Sequence, residues 1–180
     1  MPLGLFGLAA ASFVVSGLDL GWVAPSQQRM VGVVLVAFPV VLQLTASVLC
    51  FLSRDGVAGS ALGVLGASWL TVGTVYTIGP PGSTSGALGL LLVVVAAALM
   101  LSGAAAALTK LVPAAVLLLS GLRFALTGIY ELSASERLHE AAGVIGLGLT
   151  ALALYTAFAL ELEGTMGYAV LPLMRRKRDD

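Results

Sequence analysis

Six apolar stretches, each long enough to cross a bilayer, follow one another along this chain. They run approximately over 3–23, 30–52, 59–79, 86–108, 111–131 and 141–163. A spanning helix needs roughly 20 such residues. Lipid offers no partner to backbone N–H and C=O groups, so a segment of this kind must bond them internally as a helix. The breaks between them read "APSQQR", "SRDGVAG", "GPPGSTSG", "LTK" and "SASERLHE". Pro113 suits the first turn of a new helix, and Ser133 or Ser135 is placed to cap the last one. Composition agrees: 59% of residues are hydrophobic and only 10% charged, where a soluble domain carries about 25%. The expected fold is an all-α integral membrane protein, a six-transmembrane-helix bundle over 1–174. A charged cytoplasmic tail at 175–180 follows it. The first run has no Lys or Arg before Arg29. It is therefore expected to stay as a helix and not to be removed as a signal peptide.

Charge in the short loops predicts orientation. With the N-terminus inside, the inner segments carry Arg54, Lys110, Arg175, Arg176, Lys177 and Arg178, and the outer ones only Arg29 and Arg137. Both termini are expected in the cytoplasm of a multi-pass plasma-membrane protein. Small residues should let the helices approach closely, since lipid gives no hydrophobic drive for pairing. Gly17/Gly21, Gly59/Gly63 and Gly82/Gly86 have GxxxG spacing, and Gly143, Gly146 and Gly148 give the sixth span a small-residue face.

Several function classes are excluded. Net charge is zero, so no broad field attracts nucleic acid. The single cysteine, Cys50, has no intramolecular disulfide partner, and His139 is the only histidine, so neither a metal site nor a bound cofactor is expected. There is no nucleophile–His–acid set, paired carboxylates or phosphate loop, and the chain is not read as an enzyme.

What remains is a short list of polar groups inside the spans: Asp19, Gln43, Arg123, Glu131, Glu161 and Glu163. The three glutamates sit at helix ends, within reach of the interface. Arg123 lies about 12 Å deep, at 1.5 Å per residue. A charge at that depth needs a partner or a water-filled cavity. Asp19 and Glu131 are both candidates: the first and fifth spans run in the same direction, which makes the depth of Asp19 compatible, and Glu131 lies on the same span as Arg123. Either the pair locks the bundle, or Arg123 is a cationic spot in a water path that draws an anion. Gln43 is either an interhelical hydrogen-bonding group or a pore-lining one. Pro39, one turn before it, should kink the helix and free a carbonyl.

Several motifs now resemble one family in order. "PLGLFGL" at Pro2–Leu8 is similar to the opening signature of the acetate uptake transporter family, the YaaH-type succinate–acetate permeases. "AFPVVLQLTASVLCFLSRDG" resembles its second helix, "GASWLT" at Gly66–Thr71 its Gly-Ser-Phe-Trp-Leu-Thr element, and "GVIGLGLTALALYTAFA" its Gly-rich last helix. "GYAVLPL" at Gly167–Leu173 resembles its tail. The resemblance implies a homo-oligomer, a hexamer, with a pore in each protomer for acetate, succinate or a related mono- or dicarboxylate, moved either alone or with protons. It implies a narrow apolar constriction at Leu8, Leu65 and Leu118, with Gln43 beside it and Asp19 at the position of the family's helix-one Asn. Arg123 stands where the family usually has an apolar residue. Two other classes fit the same residues. One is a neutral-solute channel for urea or amides, and the other a membrane scaffold that transports nothing.

Overall fold

The computed structural model describes residues 1–174. The tail expected at 175–180 lies outside them. Helix α1 covers Pro2–Asp19. The second span is two helices, α2 over Gln28–Ala37 and α3 over Pro39–Leu52. Then come α4 (Gly56–Ile78), α5 (Gly86–Ala107), α6 (Leu111–Ser133) and α7 (Glu136–Met166). Taking α2 and α3 together, the described residues form six helical segments long and apolar enough to cross a membrane. The chain is a multi-pass membrane protein.

Local chemistry sets the helix ends. Asp55 accepts from the Ala58 N–H at 3.1 Å and caps α4. Ser85 accepts from the Leu88 N–H at 3.4 Å and caps α5. Ser135 does stand at the α7 N-cap, but its side chain makes no capping bond, and Ser133 Oγ donates back to Ile129 O instead. Gly167, in the left-handed region at φ 76°, ends α7. Pro39 does more than kink its span. It has no N–H to give Leu35 O, and Phe38, at φ −116° and ψ −72°, separates two distinct helices.

The spans close into a ring. Each packs against the next, α1 on α3, α3 and α2 on α4, α4 on α5, α5 on α6, α6 on α7, and α7 returns to α1. Backbones meet directly at Gly32 and Gly73 between α2 and α4, and again between α5 and α6. A Cβ on Gly89 would stand 2.8 Å from Gly128 O, and one on Gly128 would stand 3.0 Å from Gly89 O. Only glycine permits that approach. Of the GxxxG pairs expected at interfaces, Gly59 and Gly63 do face α3, at Phe51 and Ser47. Gly21 and Gly82 instead have positive φ in the α1–α2 and α4–α5 connections.

After α7 the chain doubles back. The Leu111 and Val112 N–H groups at the start of α6 donate to Met174 O and Leu173 O at 3.2 and 3.4 Å. Tyr155 Oη donates to Pro172 O at 3.0 Å, and Leu173 is buried. These two N–H groups, which an α-helix leaves without a partner in its first turn, are thereby satisfied by the returning backbone.

Candidate functional site

Three helices turn one face each into the ring, and each face changes from apolar to polar along its length. On α1 the face is Leu8, Ser12, Ser16 and Asp19, spaced by four, four and three residues, and all four are buried. On α4 it is Leu65, Trp69, Val72 and Tyr76. On α6 it is Leu117, Ser120, Arg123 with Phe124, and Glu131. Spacings of three and four put residues on one side of a helix.

At the polar level stands Arg123, 1% exposed. Its Nη2 donates to Asp19 Oδ2 at 3.2 Å, and its Nη1 donates to Ser12 O at 3.3 Å. Its guanidinium carbon lies 5.5 Å from the Trp69 ring centroid, a cation–π distance. Trp69 in turn packs on Phe124, ring centroids 5.0 Å apart. Gly146 of α7 makes room: a Cβ there would lie 2.8 Å from Arg123 Cζ and would also strike Ser16 Oγ. Of the two carboxylates within reach of Arg123, the fold selects Asp19. Glu131 is buried too, contrary to the expected interfacial anchor. It accepts from the Ser85 N–H at 2.6 Å and so ties α6 to the start of α5.

Above the pair a cavity of about 160 Å³ opens between the α1–α2, α4–α5 and α6–α7 connections. Tyr76, Glu131, Glu136 and His139 are among its walls. His139 Nδ1 is 3.8 Å from Asp19 Oδ1, and its ring stacks on Tyr130 with centroids 4.3 Å apart. Below it, a space of only about 10 Å³ lies among Val15, Trp69, Tyr76, Arg123, Phe124 and Thr127. That is room for about one water. Tyr76 borders both spaces.

The apolar level lies beyond. Leu8, Leu65 and Gln43 are fully buried. Gln43 sits between the chain neighbours of the two leucines. A Cβ on Gly7 would stand 3.2 Å from its Cγ, and one on Gly66 would stand 3.3 Å from its Cβ. Both ends of the Gln43 amide lack a hydrogen-bond partner among the described residues, as do Ser12 Oγ, Ser16 Oγ and Trp69 Nε1. Burial of a polar atom without a partner costs about 1–3 kcal/mol, so these five atoms set this region apart from an ordinary apolar core.

Leu118 does not join this set. It is 41% exposed on the outer side of α6, where it fills the notch left by Gly103 of α5. Its neighbour Leu117 is the buried one. One position along a helix turns a side chain by about 100°, and this offset moves Leu118 out of the expected constriction. Sequence reasoning passed over His139, Trp69, Ser12 and Ser16. The three-and-four spacing of Ser12, Ser16 and Asp19 was the signal that could have found the polar face of α1.

The model of the GPR1/FUN34/yaaH family matches residues 1–175 of the chain. A solved structure, that of the bacterial acetate channel SatP, superposes with a TM-score of 0.83 over 96% of each chain, at 22% sequence identity. A likeness at that identity establishes the fold. No curated protein matches the chain in sequence.

Proposed function

Because this chain belongs to the GPR1/FUN34/yaaH family, we propose that it is a plasma-membrane transporter or channel for acetate or a similar small carboxylate. The solute path is the ring interior: the vestibule beside His139, the Arg123 level, then the apolar level of Leu8, Leu65 and Gln43. The loop charges support a cytoplasmic location for both termini, which turns the vestibule outward. The shared fold with a bacterial acetate channel supports the carboxylate class. A homo-oligomer, with one such path in each subunit and lipid around the ring, is part of the same reading.

The observation that carries it is Arg123 itself. A guanidinium 1% exposed within a membrane-spanning helix, below a vestibule of about 160 Å³, is costly and is kept where a negative charge must be met. It raises the local concentration of a carboxylate and holds it in planar, two-donor geometry. Beyond it the apolar level excludes ions. Passage there favours the protonated acid or a briefly wetted state, because a bare charge in that setting is expensive.

The test is flux into proteoliposomes, with labelled acetate compared against acetamide and urea. Acetate uptake above protein-free vesicles, reduced about tenfold or more by Arg123→Leu in folded protein, is expected on these grounds. Equal flux of acetamide and acetate, unaffected by Arg123→Leu, would instead establish a neutral-solute channel.

A further inference from the structure

Asp19 occupies a place with two possible partners. One oxygen, Oδ2, accepts from Arg123 at 3.2 Å, and the other, Oδ1, faces His139 Nδ1 at 3.8 Å. Arg123 and Asp19 side chains are 2% and 3% exposed, but the His139 side chain is 20% exposed and lines the vestibule. Chemically, Asp19 is an acetate-like group tethered to α1: a carboxylate on one methylene. The space of about 10 Å³ that Arg123 borders is too small for a carboxylate, and the Arg123 Nη2 donor is taken by Asp19.

We propose that Asp19 is a built-in competitor for the carboxylate site on Arg123, and that His139 draws it away. This rests on the reading of the path as a carboxylate route. With His139 neutral, Asp19 stays on Arg123 and the site is shut. With His139 protonated, the Asp19 carboxylate has a second cation within one side-chain rotation. Asp19 then neutralises the imidazolium and Arg123 is free to take the carboxylate of the incoming solute. Charge at this level is balanced in the two end states, one cation with one carboxylate when the site is shut and two cations with two carboxylates when the solute is bound. The open, empty site carries one excess positive charge, which favours entry of an anion. The other titratable groups that face His139 fit this role. Glu131 and Tyr130 come from α6, Tyr76 from α4, and Glu136 from the preceding turn of α7. The cation at this level is Arg123 on α6, which shares the Asp19 carboxylate with His139 and is screened from it by that carboxylate. Asp19 thereby sets when the site is open, because a carboxylate reaches Arg123 only after Asp19 has left it.

Two readouts decide it. In proteoliposomes, acetate uptake by the wild type and by His139→Gln is measured from about pH 7.5 to 5.5, the range in which an imidazole titrates. Acetic acid itself becomes more abundant over this range, and taking the ratio of the two proteins removes that effect. The ratio of wild type to His139→Gln is expected to rise at least about threefold on acidification. A ratio independent of pH overturns the proposal, and His139→Asn repeats the arm with a second neutral side chain.

The second readout needs no solute. The sequence has two tryptophans, and Trp22→Phe leaves Trp69, which lies beside Arg123, as the sole indole reporter. Its emission should change across the same pH range in the Trp22→Phe protein and lose that change when His139→Gln is added. No change, or one that survives His139→Gln, overturns the switch. Wild-type protein that moves no acetate at any pH would refute the carboxylate route, while the Trp69 arm still decides whether Asp19 moves.

Discussion

Replacing Asp19 by Asn keeps the side chain's size and removes the charge that faces Arg123. The guanidinium would remain 1% exposed, with Ser12 O at 3.3 Å and the Trp69 face as its remaining partners. Opposite charges 3.2 Å apart attract by about 5 kcal/mol at an effective dielectric of about 20. Desolvation offsets much of that in the intact pair, but removing one partner leaves its cost uncompensated. Broken buried pairs lose about 3–5 kcal/mol. Asp19→Asn is expected to fall in that range. Arg123→Met should cost less, because Asp19 still has His139 within 3.8 Å. The double variant Asp19→Asn/Arg123→Met buries no charge, and it should return to within about 1–2 kcal/mol of the wild type. The assay is equilibrium unfolding in mixed detergent micelles, read by circular dichroism for all four proteins, so that the cycle gives the coupling energy. A single-variant cost below about 1 kcal/mol, typical of solvated surface pairs, would refute this account of the Arg123 site. Strict additivity in the double variant would do the same.

Two further outcomes test the geometry of the path. Gly146→Val should depress acetate flux strongly, because its side chain would enter the space of Ser16 and Arg123, whereas Gly148→Val, whose Cβ would meet nothing within 4 Å, should leave flux near wild type. Leu65→Trp should block the apolar level, while Leu118→Trp, on the outer side of α6, should not.

The spans were legible because their signal is bulk chemistry: long apolar runs broken by polar, Gly and Pro residues. The buried arginine was legible too, since its depth follows from counting residues at helical rise. What sequence could not provide was angular position. Leu117, Leu118 and Leu119 are chemically identical neighbours, and nothing local says which of them turns inward. The choice of Asp19 over Glu131 is likewise tertiary. It depends on α1, α6 and α7 meeting at Gly146, and on Ser85 claiming the Glu131 carboxylate first. His139 read as a solitary residue in a loop-like stretch, and it acquires chemistry only because the α6–α7 connection folds over Asp19.

The glycine contacts between α5 and α6 bear on how such a route can open. Gly89 and Gly128 bring the two backbones together, and farther along a Cβ on Gly121 would stand 3.0 Å from Ala96 O. Two helices fastened at several heights slide or separate only as a unit. Arg123 is therefore mounted on a fixed plank, and since Gly32 and Gly73 fasten α2 to α4 in the same way, α1, which carries Asp19, is a wall not held by such a glycine pair.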